Sequence, residues 1–106
     1  MNTSANVIIA ALAEPHRQQI VSLLAKEGEM NATAIADRFE VSSAAISQHL
    51  KVLRESEVLT MTRQAQQRLY QLNPEAFGEL EKWSRSMKET WTKRFDQLNS
   101  LLQQAG

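Results

Sequence analysis

The 106-residue sequence contains no cysteine. Disulfides, thiolate metal sites, iron–sulfur clusters and thiol redox chemistry are excluded in one step. It has two histidines, His16 and His49, far apart along the chain. A histidine-based catalytic or metal cluster within one chain is therefore not expected, and neither a metal nor a cofactor is assigned. Glycine (3) and proline (2) are too scarce for an all-β, loop-rich or disordered chain. Lys+Arg and Asp+Glu balance at 12 each, so any cationic surface must be local. The apolar run at residues 7–12 is far short of the ~20 residues of a membrane span. No basic stretch precedes it, so it is not a signal peptide either. The expected location is the cytoplasm, with no membrane partner. There is no phosphate-cradling Gly-rich loop, no Ser/His/Asp constellation and no HExxH, so an enzyme is not expected.

What remains is the length of one domain, rich in helix signals. Residues 1–6 are polar and expected to fray. Residues 7–13 suit a short apolar helix. Pro15 suits the first turn of a second helix, which lacks only an orphan N–H there. Ile20, Leu23 and Leu24 share its inner face, and Gly28 is its stop signal. Asn31 suits the N-cap of a helix over residues 32–39, and Ser42 that of one over 43–55. The second carries a buried stripe of Ile46, Leu50 and Leu53. Two short helices joined by two or three residues have helix-turn-helix spacing, here within residues 31–56.

Residues 59–62 and 68–72 alternate apolar and polar side chains and predict a two-stranded β-hairpin within 58–72. The intervening Arg63–Gln67 stretch lacks Gly, Asn and Asp, so a longer mobile loop is expected rather than a two-residue turn. Asn73-Pro74 opens a long amphipathic helix over 74–104. Its stripe runs Phe77, Leu80, Trp83, Met87, Trp91, Phe95, Leu98 and Leu102, with gaps averaging about 3.6. At 1.5 Å per residue this helix is ~45 Å long, whereas a domain of this size has a radius of gyration of ~13 Å. Its stripe outruns its own body. The expectation is a homodimer built from residues 1–13 and 74–104, with Val7, Ile8, Leu12, Leu80, Trp83, Met87, Trp91, Phe95, Leu98 and Leu102 at the interface. The alternative is that the aromatics fold back onto their own core.

Opposite the buried stripe of residues 43–55, Ala44, Gln48 and Lys51 point outward with Ser47 on the flank. Small Ala44 permits close approach to a surface. Gln48 offers a paired donor and acceptor to an adenine edge, and Ser47 reaches a base or a phosphate. Lys51 and Arg54 can neutralise phosphates. The face suits the major groove of double-stranded DNA; the plain alternative is a solvated helix face. A hairpin with Arg63 and Arg68 follows directly, which is the winged-helix order. These arginines could reach phosphates or the minor groove. The competing reading of Arg68 is a strand residue paired with Glu55 or Glu57. The fold class is thus mainly α with a two-stranded β-hairpin: a winged helix-turn-helix with a long C-terminal dimerisation helix.

The run from Val41 to Glu55, above all Ser47-Gln48-His49-Leu50-Lys51-Val52-Leu53, resembles the recognition helix of the ArsR/SmtB family of bacterial repressors. Leu12-Ala13-Glu14-Pro15-His16-Arg17, Val58-Leu59 and Arg68-Leu69-Tyr70 resemble that family's second-helix entry and wing. The tail resembles the branch that includes the SdpR-type autorepressors. The resemblance implies a homodimeric repressor on an imperfect palindrome, with Ser43, Ala44, Ser47, Gln48 and His49 at the DNA surface. His49 has two readings, a backbone contact or a packed histidine holding the helix.

The sequence also departs from the family. Positions matching the family's metal-binding cysteines are Asn31 and Thr33, and residues 73–106 hold no histidine for its C-terminal zinc site. Both familiar metal sites are absent. Glu40 replaces a turn glycine, implying a left-handed residue at a cost of ~1 kcal/mol. Gln64-Ala65-Gln66 replaces a wing-tip glycine. No residue cluster identifies an effector, small molecule or protein. Two rivals stand: an atypical metal-responsive sensor using Glu14, His16 and a carboxylate from the other subunit, and a dimeric protein-interaction module without DNA binding.

Overall fold

A computed structural model describes residues 4–105; the first three residues of the segment expected to fray lie outside them. The order is α1 (Ala5–Ala11), α2 (Pro15–Glu27), β1 (Met30–Asn31), α3 (Ala32–Ala36), α4 (Ser43–Glu55), β2 (Leu59–Gln64), β3 (Gln67–Leu72) and α5 (Pro74–Ala105). The expected caps form. Asn31 accepts from the Ala34 N–H at 2.8 Å, Ser42 from Ala45 at 3.1 Å and Asn73 from Glu75 at 3.2 Å. Gly28 closes α2 at φ 82°, a conformation open to glycine. Ile8, Ile20, Leu24, Ile35, Ile46, Leu50, Leu53, Val58, Leu59 and Tyr70 form one core joining all elements except the outer half of α5.

Several expectations need correction. The sheet has three strands, not two, in the order β1-β3-β2, with Met30 opposite Tyr70 and Asn31 opposite Leu69. A two-residue strand carries no alternation to read. The helix expected over residues 32–39 ends at Ala36. Its tail tightens into i→i+3 bonds, Arg38 N–H to Ile35 and Phe39 N–H to Ala36, both carbonyls. The link to α4 is therefore residues 37–42, longer than the two or three expected.

The left-handed residue is not Glu40. Positive φ falls instead on Glu57 (63°) and Ala65 (58°). Glu57 follows α4 in a Schellman arrangement: its N–H bonds the Arg54 carbonyl and the Val58 N–H bonds that of Leu53, both at 3.0 Å. Ala65 is the first of two residues between β2 and β3, whose register runs from Leu59–Leu72 to Gln64–Gln67. The wing tip is thus a tight two-residue turn, not a long loop. Positive φ at its first central residue alone is the type II′ pattern, matched to strand twist. Register overrides turn chemistry here, and an alanine occupies a glycine position. Relieving that strain with Ala65→Gly is expected to stabilise the fold by about 1 kcal/mol. A thermal midpoint several degrees higher would register it; an unchanged or lower midpoint would show the turn is unstrained.

The last correction concerns the expected interface. Ile8 is fully buried in the core of its own protomer, and Leu12 and Leu80 are half-buried against that core. They anchor α1 and the first turns of α5 to the body. Beyond Leu80 every residue of α5 through Ala105 is exposed. Trp83, Met87, Trp91, Phe95, Leu98, Leu101 and Leu102 are 42–68 % accessible, Leu101 being an addition to the expected stripe. The aromatics do not fold back. The molecule measures 69 × 31 × 21 Å with a radius of gyration of 19.0 Å, well above the ~13 Å of a compact chain this long. No helix among the described residues is long and apolar enough to cross a membrane.

Candidate nucleic-acid interface

The inward stripe of α4 fixes its outward face. Ile46, Leu50 and Leu53 are at most 2 % exposed. Ser43, Ala44, Ser47, Gln48, Lys51 and Arg54 are all exposed on the other side. The Ser42 cap leaves the α4 N-terminus open to solvent beside Ser43 and Ala44. Lys51 Nζ lies 4.0 Å from Glu55 Oε1. Exposed pairs of this kind contribute little, so Lys51 is free to exchange Glu55 for a phosphate.

The wing stands beside this helix. A cleft of about 610 Å³ is lined by Ser47, Gln48, Lys51 and Arg54 of α4 and by Arg68 and Tyr70 of β3. Recognition-helix and wing residues therefore share one cationic concavity. Arg68 sits opposite Arg63 in the hairpin. Like charges directly across strands are destabilising, and an anion between them relieves the repulsion. Glu55 lines the cleft with Arg68, but its ion pair is with Lys51.

His49 does not join the outward face. It is half-buried, its ring stacked on His16 with centroids 5.5 Å apart and planes 16° from parallel. Its Nδ1 lies 3.4 Å from Arg17 Nη1 and 3.7 Å from Glu14 Oε2. Of its two sequence readings, the packed one matches this geometry. His16 Nδ1 lies 2.9 Å from Glu14 Oε1, while Glu14 Oε2 accepts the Arg17 N–H at 2.9 Å and caps α2. Sequence reading missed Arg17 and the Glu14 cap. The cap had a signal, an acidic residue directly before Pro15. The stacking had none, because it depends on how α2 crosses α4.

Partial desolvation raises the Glu14 carboxyl. Hydrogen bonds from His16 and the Arg17 N–H, with the charges of His49 and His16, outweigh it and hold the group below its ordinary value of 4.5. A carboxylate lowered in the folded state stabilises above its unfolded value, and the contribution is lost as pH falls through the lower folded one. Glu14→Gln is therefore expected to melt below wild type at neutral pH and to converge with it in acid. Parallel pH–stability curves would count against this.

This geometry has known relatives. A helix-turn-helix domain family matches residues 12–62. The transcriptional repressor SdpR of Bacillus subtilis is 36 % identical over 78 residues, 74 % of this chain and 86 % of that protein. The chain belongs to the ArsR family of transcriptional regulators. Among solved structures, the ArsR family transcriptional regulator RHA00566 is 25 % identical with a TM-score of 0.75, covering 82 % of this chain and 89 % of its own. An ArsR-like regulator from Rhodococcus sp. RHA1 shares the fold at a TM-score of 0.82 over 92 % of this chain and 91 % of its own, at 20 % identity. As an ArsR-family member, the protein is a DNA-binding transcriptional regulator of winged-helix fold. The family is one of transcriptional regulators.

Proposed function

We propose that this ArsR-family regulator is a cytoplasmic, single-domain homodimeric repressor of a palindromic operator. In this reading α4 enters the major groove. Ser43, Ala44, Ser47 and Gln48 face base edges, Lys51 and Arg54 the flanking phosphates, and Arg63 and Arg68 the adjacent backbone. His49 holds α4 in place from behind. The observation that carries the reading is the shared cleft in which Gln48, Lys51, Arg54 and Arg68 converge. A second copy, joined through Trp83, Met87, Trp91, Phe95, Leu98 and Leu102 with Val7 alongside, would present the second α4 one DNA turn away, ~34 Å. Support for that copy is the apolar outer half of α5, which the protomer leaves uncovered. Repression follows from excluding polymerase. Because the relative SdpR is itself a repressor, the promoter of the protein's own gene is the first operator to test.

The test is fluorescence anisotropy on the duplex upstream of the protein's own gene, titrated with salt beside a scrambled duplex. Preferential binding that weakens steeply with salt is expected. Equal, weak binding to both duplexes would remove that operator. Gln48→Ala is expected to cost ~1–3 kcal/mol on the preferred duplex and almost nothing on the scrambled one. Equal weakening on both would show that Gln48 does not read a base.

A further inference from the structure

The histidines that sequence separation seemed to isolate meet across the α2–α4 contact. Glu14 and His16 open α2, His49 lies in the middle of α4, and one donor atom from each falls within 4.8 Å of the others. We propose that Glu14, His16 and His49 form a binding site for a divalent transition-metal ion of the zinc class. The site would tie α2 to α4 within one protomer, so it stands whatever α4 binds.

Three observations carry this. The first is spacing. Bonds of about 2.0–2.2 Å in tetrahedral geometry set donor atoms roughly 3.3–3.5 Å apart. His16 Nδ1 lies 2.9 Å from Glu14 Oε1 and His49 Nδ1 lies 3.7 Å from Glu14 Oε2, distances on either side of that value, so a turn of the Glu14 carboxylate is needed to bring one oxygen to both rings. Small side-chain rotations admit the ion without moving either helix.

The second is donor chemistry. Two imidazoles and a carboxylate select zinc, cobalt, nickel or copper, whereas calcium and magnesium require oxygen-rich shells. Glu14 is already anionic at neutral pH. It uses Oε2 to cap α2, leaving Oε1 directed at His16. His49 Nδ1 lies 3.4 Å from Arg17 Nη1, a long contact that the ring can give up. Metal entry releases the proton held between His16 and Glu14 and displaces that weak arginine contact.

The third is access. The side chains of Glu14, His16 and His49 are 30 %, 39 % and 18 % exposed, so the cluster lies at the surface. Three protein ligands with one side open to water is the pattern of an open zinc site. It differs from the expected intersubunit site in taking its third ligand from α4 of the same chain.

The experiment uses the full-length, untagged protein and Co²⁺ alone, followed by visible absorption and then displaced with Zn²⁺. One equivalent per chain is expected, with the intense bands of an imidazole-ligated ion of low coordination number. His16→Gln and His49→Gln are each expected to weaken binding more than about tenfold. His16 opens α2 at the surface, with 39 % of its side chain exposed, so His16→Gln should leave the metal-free protein folded. Absence of saturable bands, or Co²⁺ binding by the double variant equal to wild type, would overturn the site. Loss of binding in His49→Gln alone, with His16→Gln as wild type, would overturn it as well.

Discussion

Trp91→Ala is expected to turn the proposed dimer into a monomer at concentrations where the wild type is fully assembled. Trp91 is 68 % accessible in the isolated protomer, the most exposed member of the stripe from Trp83 to Leu102. Its truncation therefore removes little from the protomer's own fold. In a two-fold interface the same change occurs twice. Truncating a buried aromatic anchor costs about 2 kcal/mol or more at each site, so the pair weakens the dimer roughly a thousandfold. Sedimentation across a dilution series reads this directly. The unfolding midpoint of the dilute monomer should not move. Operator affinity should fall with dimerisation, because each half-site alone offers only one helix and one wing. A variant that sediments as wild type would place the interface elsewhere. The small apolar patch of Val7, Ala10 and Val52, between α1 and α4, would then be the surface to mutate.

Such a result would also test what the sequence can reveal about an interface. A stripe read from periodicity names the residues that must be covered, not what covers them. Ile8, Leu12 and Leu80 were expected at the same interface as Trp91, yet the body of their own chain packs against them. The division falls where α5 leaves the three-stranded sheet and α1 behind, a matter of tertiary reach. The caps were legible because Asn31, Ser42, Asn73-Pro74 and Gly28 act on their own neighbours in sequence. The outward face of α4 was legible for the same reason, since a buried stripe at helical spacing defines its opposite. The wing tip was not. Turn residues predicted a loop, but cross-strand pairing from Leu59–Leu72 to Gln64–Gln67 closed it and forced Ala65 to positive φ. The Glu14–His16–His49 cluster was still less legible, because it is created by a helix crossing.

The opposed arginines of the wing give the second large effect. Arg63 and Arg68 face each other across β2 and β3 and have no acidic cross-strand neighbour in the register. Replacing both with glutamine should stabilise the free protein by a few tenths of a kcal/mol, by removing a like-charge pair. The same change should weaken DNA binding strongly. A dimer loses four phosphate contacts, which at about 1 kcal/mol each is close to a thousandfold. Each lost contact also lowers the slope of log K against log salt by ~0.9, so the dimer's slope should fall by about 3.6. These losses should be alike on the preferred and scrambled duplexes, in contrast to Gln48→Ala, because phosphates carry no base identity. A more stable protein that binds all DNA less well would mean the repulsion in the free hairpin is retained for the anion it attracts. An unchanged salt slope would mean the wing stays clear of the backbone, leaving α4 as the sole contact with DNA.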